Sequence, residues 1–461
     1  MILDLLDPQV LDSAATVFVD LIDEELSSVK HNAESQEAAK EKGASASDGE
    51  QAKGEIEEWR KGEVEKLSGA PSGGKPPIHI PRSPVGSLLV AEMEDFFLDR
   101  FTVEPSGHGF NREEVGISPI MLSDDARRFL TDTRQRRFFP RFGQRDARFL
   151  TWGAVAKVSA WAKRGPHPFV ANNQSPLGIS DTARLILVGD WGSGIPRAEK
   201  VGTAMRGYVE ESLRNGQDCH VIHLGDVYYC GWKREYQKRL LNSGMWPVNP
   251  GEEDRVGSWS LNGNHDMYSS GEDYFKYLLQ DPRFSRRQSC SYFALENQHW
   301  QIAALDTAYA DADLYGPQVA WLTGMRQRSH TKKGLLLSHH QLFSSYESCP
   351  ATIENRLKPL LNDGLTRAWF WGHEHLCAAY ELTAGVEYPR VVGHGGVPVY
   401  AWAGNSPTGV IWEAPDTLTD PQTGWLFARF GFAILDFQPD GSIEVRYVNE
   451  NGVTRHTESL N

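Results

Sequence analysis

From residue 181 onward the chain repeats one unit: a short apolar run, a glycine-containing polar turn, and in several cases a stretch of helical periodicity. The runs with their turns occupy residues 184–190, 220–226, 258–265, 333–340 and 366–375. Continuous apolar runs of this length read as strands buried on both faces. The helical patterns at residues 195–214, 234–242 and 317–328 supply the crossovers that a sheet needs. Two hairpin patterns add antiparallel strands, residues 289–295 with 299–306, and residues 431–437 with 443–448 around Asp440 and Gly441. The result is a layered α/β domain of 281 residues, too long for one small sheet and suited to a core between two sheets.

Each of the five runs ends in Asp, Asn or His, and the loops beyond strand C-termini are where open α/β sheets bind ligands. In order the tips supply Asp190, Asp226, Asn264, His339, and the pair His373 and His375. Oxygen and nitrogen donors without thiolate suit Fe, Mn, Zn or Mg and exclude a structural cysteine zinc site. The donors suffice for two ions. Two ions about 3.5 to 4 Å apart need a bridging carboxylate and separate terminal ligands, and they then activate water and clamp a phosphoryl group for in-line displacement. Gly189, Gly225, Gly263 and Gly372 sit directly before donors, where they allow a sharp turn and close backbone approach. One such tripeptide recurs by chance about once in 8,000 positions, at about 1 in 20 per residue. Five in order, each after a strand, do not.

The blocks Gly189-Asp190-Trp191-Gly192, Gly225-Asp226-Val227-Tyr228-Tyr229, Gly263-Asn264-His265-Asp266, Leu336-Leu337-Ser338-His339 and Gly372-His373-Glu374-His375 resemble those of the calcineurin-like metallophosphoesterases. The match is closest to the purple acid phosphatase branch. It spans about residues 181–450, includes Leu305-Asp306-Thr307 and residues 318–322, and leaves residues 1–180 unaddressed. The resemblance implies a four-layer α/β/β/α sandwich in which Asp226 bridges two metals. One ion would also take Asp190, Tyr229 and His375; the other would take Asn264, His339 and His373. Most of the superfamily carries Asp-x-His in the first block, and Gly192 stands here at the His position. The purple branch compensates with a tyrosine three residues after the bridging Asp, a hard anionic donor that favours a ferric ion. The cofactor this implies is Fe(III) paired with Fe, Mn or Zn.

The activity implied is phosphate-ester hydrolysis, foremost of monoesters, by a metal-bound hydroxide, with Asp226, Asn264 and His265 as catalytic residues. His265 would hydrogen-bond the phosphoryl oxygens or protonate the leaving alkoxide. Two other functions stand beside this one: a phosphodiesterase acting on cyclic nucleotides or nucleic acid, and an inactive scaffold of the same fold. Individual residues also keep second readings. Tyr229 has a second reading as an aromatic packed under its loop, and His265 has one as a support behind the ligands. His340 is either a core or a catalytic residue. His394 is either a turn histidine or a neighbour of the metal site. His220 and His223 belong to the core, and Glu374 faces solvent.

The rest of the chain differs in texture. Residues 1–28 carry one amphipathic helical pattern, and residues 29–54 and 68–77 hold almost nothing to bury, so 1–78 reads as an acidic, largely disordered segment and linker. Residues 79–180 form a mainly helical extension. Within it residues 127–164 hold nine Arg and two Lys against Asp132 and Asp146, interleaved with aromatics. This island either grips nucleic acid or an anionic surface, or neutralises residues 1–72, which hold 17 acids against seven Lys and Arg. Overall, 47 basic residues face 61 acidic ones, a net charge of -14 that argues against chain-wide attraction to polyanions. Acids where an export signal needs bases, five cysteines without CxxC spacing, and no apolar stretch near 18 residues point to a cytoplasmic chain without a membrane span.

Overall fold

The computed structural model describes residues 166–461 apart from 243–244, 347–348, 400, 402–405 and 420–425. The expectations for residues 1–165, including the N-terminal helix, the linker and the basic island, lie outside the described residues.

The five apolar runs are strands: β1 (Arg184–Val188), β2 (Cys219–His223), β3 (Val256–Ser260), β4 (Lys333–Ser338) and β5 (Thr366–Trp371). They divide between two sheets. β1, β2 and β3 run parallel in a six-stranded sheet, extended beyond β1 by the antiparallel strands Gly431–Phe437, Ile443–Asn449 and Thr454–Leu460. β4 and β5 run parallel in an eight-stranded sheet between Trp300–Leu305 and Tyr388–Val392. Both hairpins read from the sequence form, Phe293–Glu296 with Trp300–Leu305 and Gly431–Phe437 with Ile443–Asn449.

Three longer helices match the helical patterns or fill a gap between them. α1 (Pro196–Asn215) opens on proline, whose fixed φ suits a first turn, and stops at Gly216 in the left-handed region at φ 64°. α2 (Gln318–Arg328) and α3 (Thr352–Leu361) follow β-strands of the second sheet. The pattern at residues 234–242 becomes a single turn, Lys233–Tyr236, and a wider π segment, Gln237–Leu241.

Period-two alternation puts the core between the sheets. Leu185 and Leu187 of β1, Ile222 of β2 and Trp259 of β3 pack with Leu335 and Leu337 of β4 and Phe370 of β5. Trp259 stacks on Phe293 of the opposite sheet with ring centres 4.5 Å apart. The intervening residues Leu336, Trp369 and Trp371 face outward against Leu322 and Met325 of α2 and Ile353, Leu357 and Leu361 of α3. α1 buries Val201, Met205 and Val209, at four-residue spacing, on the other flank. Burial on both faces explains why these runs are continuously apolar, and the four layers are the α/β/β/α sandwich. His220 and His223 lie in the core as expected.

Candidate metal centre

The predicted donors occupy the loops just past the C-terminal ends of the five strands, and their backbones show it. Six residues other than glycine have left-handed φ among the described residues, and three of them are Asp190 (55°), Asp226 (72°) and His373 (65°). Each such residue costs roughly 1–2 kcal/mol, a strain typical of functional loops. Gly263 shows why glycine precedes a donor. A Cβ there would stand 2.0 Å from Oδ1 of Asp226 and 2.7 Å from the ring of His339.

Two donor clusters result. In the first, Oδ1 of Asp190 lies 3.5 Å from Nε2 of His375. The hydroxyl of Tyr228 completes it, 3.0 Å from Oδ1 of Asp190, 3.2 Å from Oδ2 of Asp226 and 3.0 Å from Nε2 of His375. In the second, Oδ1 of Asn264 lies 3.0 Å from both Nε2 of His339 and Nδ1 of His373, which are 3.3 Å apart. Oδ1 of Asp226 lies 3.5 Å from the same His339 nitrogen. The two carboxylate oxygens of Asp226 therefore face different clusters. The site's open side is marked by His373, His375 and Asn264, which are half-buried, whereas Asp190, Asp226 and His339 are fully buried.

The spacing fits metal ions. Donors about 2.1 Å from a common cation stand about 3.0 Å apart at octahedral edges and about 3.4 Å apart at tetrahedral ones. The electrostatics point the same way. Burial raises the Asp190 carboxyl to about 6, and burial together with neighbouring histidines holds His339 and His373 well below the ordinary imidazole value. The imidazoles thus carry lone pairs, and a cation between these groups would reverse the cost of burying the carboxylates. Burial and the two adjacent carboxylates push the Tyr228 phenol well above its ordinary value.

Surrounding groups fix the donors. His339 donates from Nδ1 to the carbonyl of Leu224 at 3.0 Å, which turns Nε2 into the site. His265 donates from Nδ1 to the carbonyl of Tyr229 at 2.7 Å, and its Nε2 lies 3.8 Å from Oδ2 of Asp226. The backbone N–H of His265 donates to Oδ1 of Asp226 at 3.0 Å. Asp266 accepts from the N–H groups of Asp226 (2.9 Å) and Gly263 (2.7 Å) and from the Tyr236 hydroxyl (2.5 Å), tying two ligand loops together. Its signal was its place directly after His265. His340 is buried, with Nδ1 3.2 Å from the Thr307 hydroxyl and its ring 4.6 Å from that of His373. The glycine-rich segment of His394 reaches the site through Gly393, whose Cβ would meet Oδ2 of Asp190 at 2.9 Å.

Two expectations change. Glu374 does not face solvent: it is buried, accepting from Nε1 of Trp371 at 2.7 Å and from the Ser344 hydroxyl. The phenol brought among Asp190, Asp226 and His375 is that of Tyr228, where the resemblance placed Tyr229. Tyr229 is held by other partners. Its N–H donates to Glu235, which also accepts from the N–H groups of Cys230 and Trp232, and its ring lies 5.6 Å from the Arg239 guanidinium.

Residues 183–377, which contain every one of these donors, match the sequence model of the calcineurin-like phosphoesterase family. No curated protein matches the chain by sequence. Among solved structures, GAP50, the anchor in the inner membrane complex of Plasmodium, is similar at 12% identity and a TM-score of 0.44, over 61% of this chain and 89% of that one. A purple acid phosphatase from yellow lupin seeds is similar at 15% identity and a TM-score of 0.45, over 62% of this chain and 55% of that one. Among the described residues, no helix of this chain is long and apolar enough to cross a membrane.

Proposed function

We propose that residues 181–461 form a dinuclear metal-dependent hydrolase of phosphate esters, foremost a phosphomonoesterase of purple-acid-phosphatase type, with residues 79–180 as an accessory region. The observation that carries this reading is the division of Asp226, one oxygen 3.2 Å from the Tyr228 hydroxyl and the other 3.5 Å from Nε2 of His339. A carboxylate so placed suits a bridge between two cations. Asp190 and His375 would hold one ion, and Asn264, His339 and His373 the other. The anionic first cluster suits Fe(III), and the second suits Fe, Mn or Zn.

Two bound cations would polarise the phosphoryl oxygens, acidify a water molecule and offset the charge that builds on phosphorus. The chain's own groups do the rest. Commitment of the His265 Nδ1–H to the Tyr229 carbonyl leaves Nε2 with its lone pair toward Asp226, so Nε2 would take up a proton from solvent first and then pass it to the leaving alkoxide. Asp266 and the left-handed backbones at Asp190, Asp226 and His373 hold the donors in place before substrate arrives. The absence of disulfides among the described residues supports the cytoplasm as its compartment.

Hydrolysis of an aryl phosphate by the full chain tests the reading. Activity that is all but lost in Asp226→Ala and falls less steeply in Asn264→Ala supports it, and activity unchanged in both rejects it. A higher rate on a bis-aryl than on a mono-aryl phosphate would move the assignment to the phosphodiesterase. No hydrolysis by metal-loaded protein would leave the scaffold.

A further inference from the structure

Resting on the dinuclear reading above, we infer that Tyr228, and not Tyr229, supplies the phenolic oxygen of the Asp190–His375 end of the centre, and that Gly192 is what puts it there. The hydroxyl of Tyr228 stands 3.0 to 3.2 Å from one donor atom each of Asp190, Asp226 and His375, the spacing of ligands that share an ion. Its ring is fixed from the side by His265, with ring centres 4.3 Å apart.

Gly192 explains the course of the chain. It forms a parallel bridge with Val227, and its carbonyl accepts from the N–H of Tyr228 at 3.0 Å. A Cβ at 192 would meet Cγ2 of Val227 at 2.7 Å and its Cα at 2.8 Å. Any side chain at 192, an imidazole included, is therefore incompatible with the present path of residues 227–228. The glycine removes one donor from the cluster and in the same contact anchors the backbone that delivers another. Downstream, Glu235 and Arg239 hold the next residues: Glu235 takes the N–H groups of Tyr229 and Cys230, and Arg239 donates to the Tyr228 carbonyl. A phenolic oxygen beside two carboxylates favours a hard, highly charged cation at this end.

The test is the visible spectrum and iron content of the full chain loaded with ferric iron, as wild type and as Tyr228→Phe, Tyr228→His, Tyr229→Phe and Tyr268→Phe. Tyr268 is included because its hydroxyl accepts from the Asn264 amide at 2.8 Å. The expected result is a phenolate-to-iron charge-transfer band that both Tyr228 variants lose while still binding iron, and that Tyr229→Phe and Tyr268→Phe keep. Loss of the band in Tyr229→Phe or Tyr268→Phe with retention in Tyr228→Phe overturns the inference and leaves the dinuclear reading standing. Iron-loaded wild type without a band does the same. A wild-type chain that binds no metal ion overturns the dinuclear reading itself. If both Tyr228 variants fail to fold, as judged by circular dichroism, the band in Tyr229→Phe decides: kept, it supports Tyr228; lost, it rejects it.

Discussion

The two donor clusters share Asp226 yet are chemically unlike. One adds a second carboxylate, Asp190, and a phenol, Tyr228, to the imidazole of His375. The other adds only neutral groups, the amide of Asn264 and the imidazoles of His339 and His373. Burial is similar on the two sides, so the difference lies in charge. An anionic cage suits a trivalent ion and a neutral one a divalent ion, and this contrast gives a shared carboxylate two inequivalent tasks.

The largest expected effect comes from removing what the clusters share. Asp226→Ala deletes both facing oxygens, and aryl phosphate hydrolysis should drop at least ~10³-fold, the scale of losing a principal electrostatic element. Substitution on one side alone should cost less. Asn264→Ala is expected to lower kcat ~10²-fold while leaving the iron-phenolate band of the other cluster intact, and Asp190→Ala should abolish that band. If either variant disturbs both ends equally, the clusters are not separable. Asp266 touches no proposed ligand ion but holds backbone N–H groups beside both. Asp266→Ala should weaken metal affinity ~10- to 100-fold in equilibrium dialysis, without singling out one ion.

The smallest effect concerns the core behind the site. His223 lies between Trp191 and Trp246, neither of its ring nitrogens has a hydrogen-bond partner among the described residues, and burial lowers it from 6.5 to about 4. Between those values the unfolded chain binds the additional proton, so stability that is complete above pH 6.5 is lost as pH falls toward 4. The contribution is at most ~3 kcal/mol. In denaturant titrations across that window, His223→Phe should show a shallower fall than the wild type. An equal fall would assign the acid sensitivity to other groups.

The strands and the strand-tip positions of the candidate donors were legible because they depend on local pattern. Runs such as residues 333–338 are buried on both faces, and a donor at a strand tip stays at the tip whatever the register. The phenol was not legible. Tyr228 and Tyr229 are adjacent in sequence, and the choice between them rests on the contact of Gly192 with Val227 and the grip of Glu235 on the following N–H groups. Glu374 likewise depends on Trp371 and on Ser344, thirty residues away in the chain. Such side chains are set by tertiary neighbours, and no spacing within one block encodes them.

Metal content of the purified full chain, measured for wild type, Asn264→Ala and Asp226→Ala under one loading protocol, bears most directly on a centre divided about Asp226. Two ions per wild-type chain, one in Asn264→Ala and none in Asp226→Ala are the expected result. Equal metal content in the wild type and Asp226→Ala would contradict it.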